Sequence, residues 1–173
     1  MTKSKFIQAL LSELEKGYQS LRETLNKIST EEAQWKPTAR ARTLQTIKQW
    51  NSKGDKWISS QNLDPISTIE YLVTHLSHCK FMYDDYAFRK GILTWRVLES
   101  PSWPKSNEYL DKGQARLVES LSKLEDDQLE KLVLTNWGEY WSIKNIIFTM
   151  INHDAYHHGQ ICLVRNLYQI KKQ

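Results

Sequence analysis

Apolar residues in the first 28 positions of the chain recur at steps of four and three, and this pattern restricts the fold more than any other. Lys, Glu, Gln, Ser and Arg side chains fill the positions between them. Such spacing matches the 3.6-residue turn of an α-helix, so one stripe of the helix is buried and the rest faces water. The pattern predicts a long amphipathic helix from about Lys3 to Lys27. Its stripe consists of Ile7, Leu11, Leu14, Tyr18, Leu21, Leu25 and Ile28.

The size and composition of the chain favour one helical domain that spans residues 1–173. A chain of 173 residues with 40% hydrophobic residues can bury one sizeable core. Six Gly and four Pro are few for an all-β protein, in which turns recur every several residues. The sequence shows no internal repeat and no low-complexity tract.

The segment after the first helix is harder to assign. Ser29 to Glu32 has the form of a capping box, which predicts a short helix that ends near Trp35 because Pro37 disfavours helix before it. Residues 37–64 form the least regular part of the sequence, with a helical turn or two expected within 43–50 and a break at Gly54. We assign no chemistry to this segment.

Three further helices are predicted. One begins at Asp64-Pro65, an N-cap followed by proline at the first helical position, and runs to about Lys90. Another runs from about Asn107 to Lys123 with Ser106 as its cap, and the last from about Ser142 to Tyr168. Residues 134–141 are expected to form an extended turn or a small hairpin. Four helices of this length predict an all-α four-helix bundle.

Charge and cysteine content argue against several classes of protein. The net charge is +4, but the basic residues are scattered. The sequence lacks a basic stripe with interleaved aromatic residues, so nucleic-acid binding is not favoured. The two cysteines lack CxxC spacing, which favours a reducing compartment and no disulfide framework. No leader-like apolar region and no apolar run of membrane-spanning length is apparent. We therefore expect a soluble cytoplasmic protein with no membrane partner.

The five histidines fall into only two segments, both within predicted helices. His153 and His157 are one turn apart and point the same way, about 40° from each other. His75 lies on the apolar face of its own helix, whereas His158 is about 140° from His153 and faces elsewhere. Two imidazoles one turn apart can hold one metal ion, and a third from a neighbouring helix completes the set. The pattern predicts a metal site made by His75, His153 and His157.

A simpler alternative is that each buried histidine is a hydrogen-bonded core residue. Three imidazoles that enter one core without a common partner would each need separate hydrogen bonds, so their coincidence favours a metal ion. Three protein ligands leave coordination positions open, which is typical of catalytic metal sites. No glutamate stands between His153 and His157 to act as a general base, so a zinc-protease interpretation is weak.

Three neighbours of the predicted site complete the set of candidates. The angle of His78 favours a position behind the metal ligands or at the edge of the pocket over direct ligation. Gln160 shares the histidine face and either holds a water or substrate near the metal or is an ordinary hydrogen-bonded amide. Cys79 points inward near His75, where a small buried thiol is favoured over a ligand for a soft ion.

Two stretches of the sequence resemble the DinB/YfiT-like proteins. They are Ile69-Glu-Tyr-Leu-Val-Thr-His75-Leu and His153-Asp-x-Tyr-His157-His-Gly-Gln160-Ile. The resemblance covers nearly the whole chain in helix order, and its specific part is the final motif. It implies an up-up-down-down four-helix bundle and a divalent metal, often nickel or zinc, held by three histidines that map onto His75, His153 and His157. It also implies a homodimer.

The resemblance implies chemistry as well. Members of that family include bacillithiol S-transferases and mycothiol-dependent maleylpyruvate isomerases, in which the metal activates a low-molecular-weight thiol. We therefore expect a metal-dependent enzyme of the thiol S-transferase type, or a related hydrolase or isomerase, that acts on small molecules. The alternative is a non-enzymatic, dimeric helical module for stress or partner binding, which would explain the lack of a convincing general base. No catalytic residue beyond the metal ligands is identified.

Overall fold

A computed structural model describes residues 5–173 of the chain, and this part is mainly α-helical. A two-stranded antiparallel hairpin, β1 and β2, pairs Leu132–Leu134 with Tyr140–Ser142. No helix within the described range is long and apolar enough to cross a membrane. The helices are α1 Lys5–Leu25, α2 Thr30–Gln34, α3 Leu44–Lys53, α4 Asp55–Ser60, α5 Ile69–Phe88, α6 Lys105–Leu121 and α7 Ile143–Lys172.

The first helix follows its predicted pattern with two adjustments. Its predicted start near Lys3 lies outside the described residues, and it ends at Leu25, two residues early. Leu10 is buried in the core, whereas Leu11 and Tyr18 are only partly buried. The buried stripe is thus broader than a strict step of four and three, because α1 packs against both α6 and α7.

The region between α1 and α5 is more regular than the sequence suggested. The Ser29 hydroxyl accepts a hydrogen bond from the Glu32 backbone N–H and starts α2 as predicted. The Glu32 carboxylate turns instead toward Arg165, at 3.4 Å. The predicted break at Gly54 is confirmed: this residue has a φ of +82°, which favours glycine, and it separates α3 from α4.

The predicted start of α5 at Asp64-Pro65 is wrong. The Asp64 carboxylate accepts hydrogen bonds from Thr38 and Arg40, at 2.6 and 2.9 Å, and is therefore not available to cap a helix. The helix begins four residues after Pro65, where the Thr68 hydroxyl accepts from the Tyr71 backbone N–H. Contacts with an earlier segment of the chain therefore override the local signals for a helix start at this position.

The last two long helices begin close to their predicted positions. The prediction that Ser106 caps α6 is wrong. This residue is buried within the first turn of the helix. The hairpin expected within residues 134–141 is confirmed, although its strands extend slightly beyond that range. The second strand leads directly into α7, whose Ser142 cap accepts a hydrogen bond from the Asn145 backbone N–H.

Helices α5 and α6 run side by side in the same direction. Lys80 packs next to Gly113, and farther along both helices Asp84 accepts a hydrogen bond from Ser120. A Cβ at position 113 would lie 3.2 Å from the Cβ of Lys80, so glycine permits this close approach. The contacts advance together along the two helices, which is the signature of a parallel pair.

Helices α1 and α7 run opposite to that pair. On α5 and α7, His75 packs against His157 while the later Lys80 bonds to the earlier Asp154, so these helices are antiparallel. The early residues 7–14 of α1 share a core cluster with residues 143–150 at the start of α7, and residues 21–25 share another with residues 161–164. Helices α1 and α7 therefore point the same way.

The order of directions is up-down-down-up, so the up-up-down-down order implied by the family resemblance is wrong for this chain. The physical reason lies in the connections. Residues 26–68 start and finish at the end where α1 ends and α5 begins, and α3 packs against α5. The long return is made by residues 89–104, which lead the chain back to that end before α6 begins.

Candidate metal centre

Three imidazole rings from two antiparallel helices meet near the middle of the helix assembly. His75 projects from α5, and His153 and His157 project from α7. The Nε2 atom of His153 lies 3.2 Å from Nε2 of His75 and 3.1 Å from Nε2 of His157. One nitrogen from each ring falls within 4.8 Å of the others. The structure thus brings together the three histidines that the sequence singled out.

The spacing of these nitrogens is close to that of ligands on a single ion. Two imidazole nitrogens at about 2.0–2.1 Å from one zinc ion, at a tetrahedral angle, would lie about 3.3–3.4 Å apart. The two contacts at Nε2 of His153, at 3.2 and 3.1 Å, are only slightly shorter than this distance. The residues therefore fit a transition metal ion with little rearrangement of the side chains.

Hydrogen bonding alone does not satisfy this cluster. If Nε2 of His153 carries a hydrogen, it can donate to only one of its two imidazole neighbours. If it carries none, it can accept from His75. Nε2 of His157 is also unprotonated, because Nδ1 of that ring donates to the Gln160 amide oxygen, so two lone pairs would then face each other. Only one of the two contacts can therefore be a hydrogen bond. A cation placed among the nitrogens would satisfy all three lone pairs.

Burial keeps the three rings neutral, which is the protonation state that a metal ligand needs. Burial lowers the pKa of His75 well below its usual value and lowers that of His153 to about 3. The pKa of His157 is also lowered by burial, although a hydrogen bond with Gln160 opposes the shift. Each imidazole can therefore offer a lone pair at neutral pH.

Gln160 fixes which nitrogen of His157 faces the cluster. Its amide nitrogen donates to the Tyr156 hydroxyl at 3.0 Å, which turns the amide oxygen toward Nδ1 of His157, at 2.6 Å. An amide oxygen only accepts, so Nδ1 carries the hydrogen and Nε2 has its lone pair free. The comparable Nδ1 of His153 is buried and has no hydrogen-bond partner within residues 5–173. Gln160 thus bonds to a histidine of the cluster, a contact that the sequence did not predict.

Replacing Gln160 with Ala is expected to weaken metal binding by about 10–100-fold, the usual cost of losing a partner that orients a ligand. Competition with a chromophoric chelator would measure the change. The Gln160→Glu variant keeps an acceptor at this position and should retain most of the affinity. Equal affinities for the wild type and the Ala variant would show that Gln160 does not orient His157.

A buried ion pair next to the site was missed by the sequence analysis. The Lys80 ammonium on α5 is fully buried and donates to the Asp154 carboxylate on α7 at 2.5 Å. The same ammonium lies over the ring of Tyr18 on α1, 5.3 Å from the centroid. The Tyr18 hydroxyl in turn donates to Asp111 on α6. Contacts between charged and polar groups therefore link all four long helices at the level of the histidines.

Aromatic side chains surround the imidazoles. Tyr71 stacks nearly parallel to His75, with centroids 6.3 Å apart, and Tyr83 meets His153 edge to face at 6.4 Å. Tyr156 packs against His157 at 5.0 Å on the more exposed side. These rings restrict access of water, yet His75 and His153 remain only partly buried. The cluster is therefore not fully enclosed by protein.

Other residues near the cluster have roles in packing. His78 is 2% exposed and its Nε2 lies 2.8 Å from the Glu99 carbonyl oxygen, to which it donates, so it anchors the connection between α5 and α6. His158 faces away, as predicted, with Nε2 at 2.9 Å from the Thr24 hydroxyl. Cys79 lies with its sulfur 3.7 Å from Nε2 of His75. Burial raises the pKa of its thiol to about 12, so it stays protonated.

Comparisons with known proteins agree with this architecture. A sequence model of the family described as the DinB superfamily matches residues 13–161. A crystal structure described as a conserved protein from Enterococcus faecalis superposes with a TM-score of 0.62 and 14% sequence identity. The match covers 96% of this chain and 98% of that one. At this identity the likeness shows a shared fold. No curated protein matches the sequence.

Proposed function

The chain belongs to the DinB superfamily, and from this premise we propose that it is a divalent-metal-binding protein and a metal-dependent enzyme of the thiol S-transferase type. His75, His153 and His157 would hold the ion, with nickel or zinc as the expected metals because imidazole suits both. The observation that carries the metal-binding part of the proposal is the pair of Nε2 contacts at 3.1 and 3.2 Å, which one cation explains and two hydrogen bonds do not.

The residues around the proposed metal ion would have different roles. When bound, the ion would lower the pKa of a coordinated thiol and stabilise the thiolate as a nucleophile. Gln160 holds His157 in the tautomer whose Nε2 can bind the ion. Tyr71 and Tyr83 pack against the imidazoles and limit the water around them, which strengthens electrostatic interactions there. With three protein ligands, coordination positions remain for a thiol or a second small molecule.

The proposal is tested by adding small thiols and 1-chloro-2,4-dinitrobenzene to the protein loaded with nickel or zinc. Turnover is expected for the loaded wild type and for His158→Ala, which removes a histidine outside the cluster. Turnover should be lost on chelation and in His153→Ala. A loaded protein that turns over no thiol with any electrophile would contradict the S-transferase assignment.

One observation favours the alternative of a non-enzymatic dimeric module. The side of α7 that faces away from the core carries large apolar residues, and exposed apolar side chains mark surfaces that bind proteins. Asp154, the acid nearest to the cluster in sequence, is bound through Oδ2 to the buried Lys80 ammonium, and this ion pair disfavours a role as general base. This second candidate predicts dimers by sedimentation and no turnover. The exposed residues are Phe148, Tyr156, Leu163, Leu167 and Ile170.

A further inference from the structure

Arg42 is fixed to the start of the helix that carries His75. Its backbone N–H donates to the Ile66 carbonyl at 3.1 Å, and the Thr68 N–H donates to the Arg42 carbonyl at 2.8 Å. These bonds form an isolated parallel bridge between Arg42 and Ser67. Thr68 caps α5, the helix that carries His75. These hydrogen bonds therefore hold the backbone of Arg42 at a fixed place relative to His75.

The side chain of Arg42 lies next to the α5 wall of the histidine cluster. Burial raises the pKa of the Tyr71 phenol. The guanidinium of Arg42 donates a hydrogen bond to this phenol, and its charge and this bond oppose the rise in the pKa. The Tyr71 ring stacks on the His75 ring, so a single aromatic side chain separates the guanidinium from the cluster.

The charge of Arg42 has no carboxylate partner within residues 5–173. Its Nε is buried and lacks a hydrogen-bond partner in this part of the chain, although a buried guanidinium donor ordinarily has one. Only Arg42 and the exposed Arg96 among the seven arginines lack an ion pair there. The five paired arginines are Arg22, Arg40, Arg89, Arg116 and Arg165.

A small cavity lies between α5 and α7, next to residues 65–67, the segment that pairs with Arg42. Its volume is about 190 Å³, and its lining is apolar except for Ser67, which bridges to Arg42, and Gln160, which bonds to His157. Pockets for drug-sized ligands begin at about 300 Å³. The space therefore suits a small molecule with a short apolar body.

We propose that Arg42 binds a carboxylate of the small-molecule substrate and thereby selects acids over their neutral analogues. The inference rests on the proposed function, because it names the substrate class of the same site. A guanidinium matches a carboxylate with two parallel hydrogen bonds, and its buried Nε is the donor that lacks a partner. Three neutral imidazoles add no negative charge that would repel such an acid.

The test compares two thiols that differ only in charge, 3-mercaptopropionate and its methyl ester. Both are titrated into the full chain loaded with Co²⁺, and binding is followed by calorimetry and by the sulfur-to-cobalt charge-transfer band. The wild type should bind the acid at least about tenfold more tightly than the ester, as expected for a charge-assisted pair. Arg42→Met should reduce this ratio to about one, whereas Arg42→Lys should keep part of it.

Arg96→Gln is the matched control, because it removes the same charge from another arginine that lacks an ion pair, and it should leave the ratio unchanged. Equal affinities for acid and ester in the wild type, or an unchanged ratio in a folded Arg42→Met, would overturn the inference. Stronger competition by inorganic phosphate than by propionate would overturn the choice of carboxylate. Should Arg42→Met not fold, an unchanged ratio in Arg42→Lys would count equally against it.

The two readouts separate this inference from the proposed function. Charge-transfer bands with both thiols but no preference for the acid would remove the role of Arg42 and leave thiol binding at the metal intact. A preference for the acid that depends on Arg42, without any charge-transfer band, would support carboxylate recognition and contradict the thiol chemistry.

Discussion

Replacing His153 with Ala is expected to lower the bound transition metal from about one equivalent per chain to less than roughly a tenth of an equivalent, because two imidazoles are too few for a stable site. His153 is the central member of the cluster, since both short nitrogen contacts involve its Nε2. Elemental analysis of protein purified without added metal measures the change.

His158→Ala provides the matched control for that experiment. His158 lies on the same helix, but its ring bonds to Thr24 and takes no part in the cluster. This variant should keep the metal content of the wild type. Metal that is absent from the wild type, or retained in full by His153→Ala, would contradict the site.

Replacing Asp154 with Ala is expected to destabilise the fold by about 3–5 kcal/mol, the cost of leaving one charge of a buried pair without its partner. Lys80 is fully buried and Asp154 is 3% exposed, so the ammonium cannot reach water after the carboxylate is removed. Urea unfolding with a chelator present measures the loss of free energy without any contribution from bound metal.

Removing both charges should restore much of that stability. A Lys80→Met, Asp154→Leu double variant replaces the pair with apolar side chains, which is often neutral or even stabilising. As a control, Glu119→Ala breaks the exposed pair with Lys123 and should have a much smaller effect. A change for Asp154→Ala as small as that of Glu119→Ala would show that Lys80 finds another way to compensate its charge.

The histidine cluster was predictable because it obeys a local rule. His153 and His157 are one turn apart on one helix, and His75 lies on the apolar face of another, so helical periodicity alone placed all three in the interior. The DinB superfamily assignment follows from the same residues and is confirmed by the match over residues 13–161. The identity of the metal and the reaction are not encoded in this spacing and stay predictions.

The ion pair of Lys80 and Asp154 could not be found in the same way. A lysine and an aspartate 74 positions apart give no periodic signal, and either residue alone suggests an exposed surface. One clue was present: Lys80 directly follows Cys79 in a stretch whose neighbouring turns are apolar. Such a position marks a buried charge only once the partner helix is known.

The errors at α5 and in the helix directions have a common origin. Asp64-Pro65 satisfies the local rules for a helix start, but its carboxylate is bound by Thr38 and Arg40 from an earlier segment. The expected order of helix directions came from the family resemblance, because hydrophobic spacing does not reveal where the connections run. Both features are decided by contacts between distant parts of the chain.

The segment 26–68 connects α1 to α5, and substitutions in it can be considered separately from substitutions in the helices that carry the imidazoles. The three imidazoles belong to α5 and α7, whereas Arg42 belongs to a segment that contributes none of them. Substitutions in that segment that keep the Thr68 cap and the bridge between Arg42 and Ser67 can alter the surroundings of the cluster without displacing its nitrogens. A chain built in this way can diverge in what it recognises and keep the chemistry of its centre.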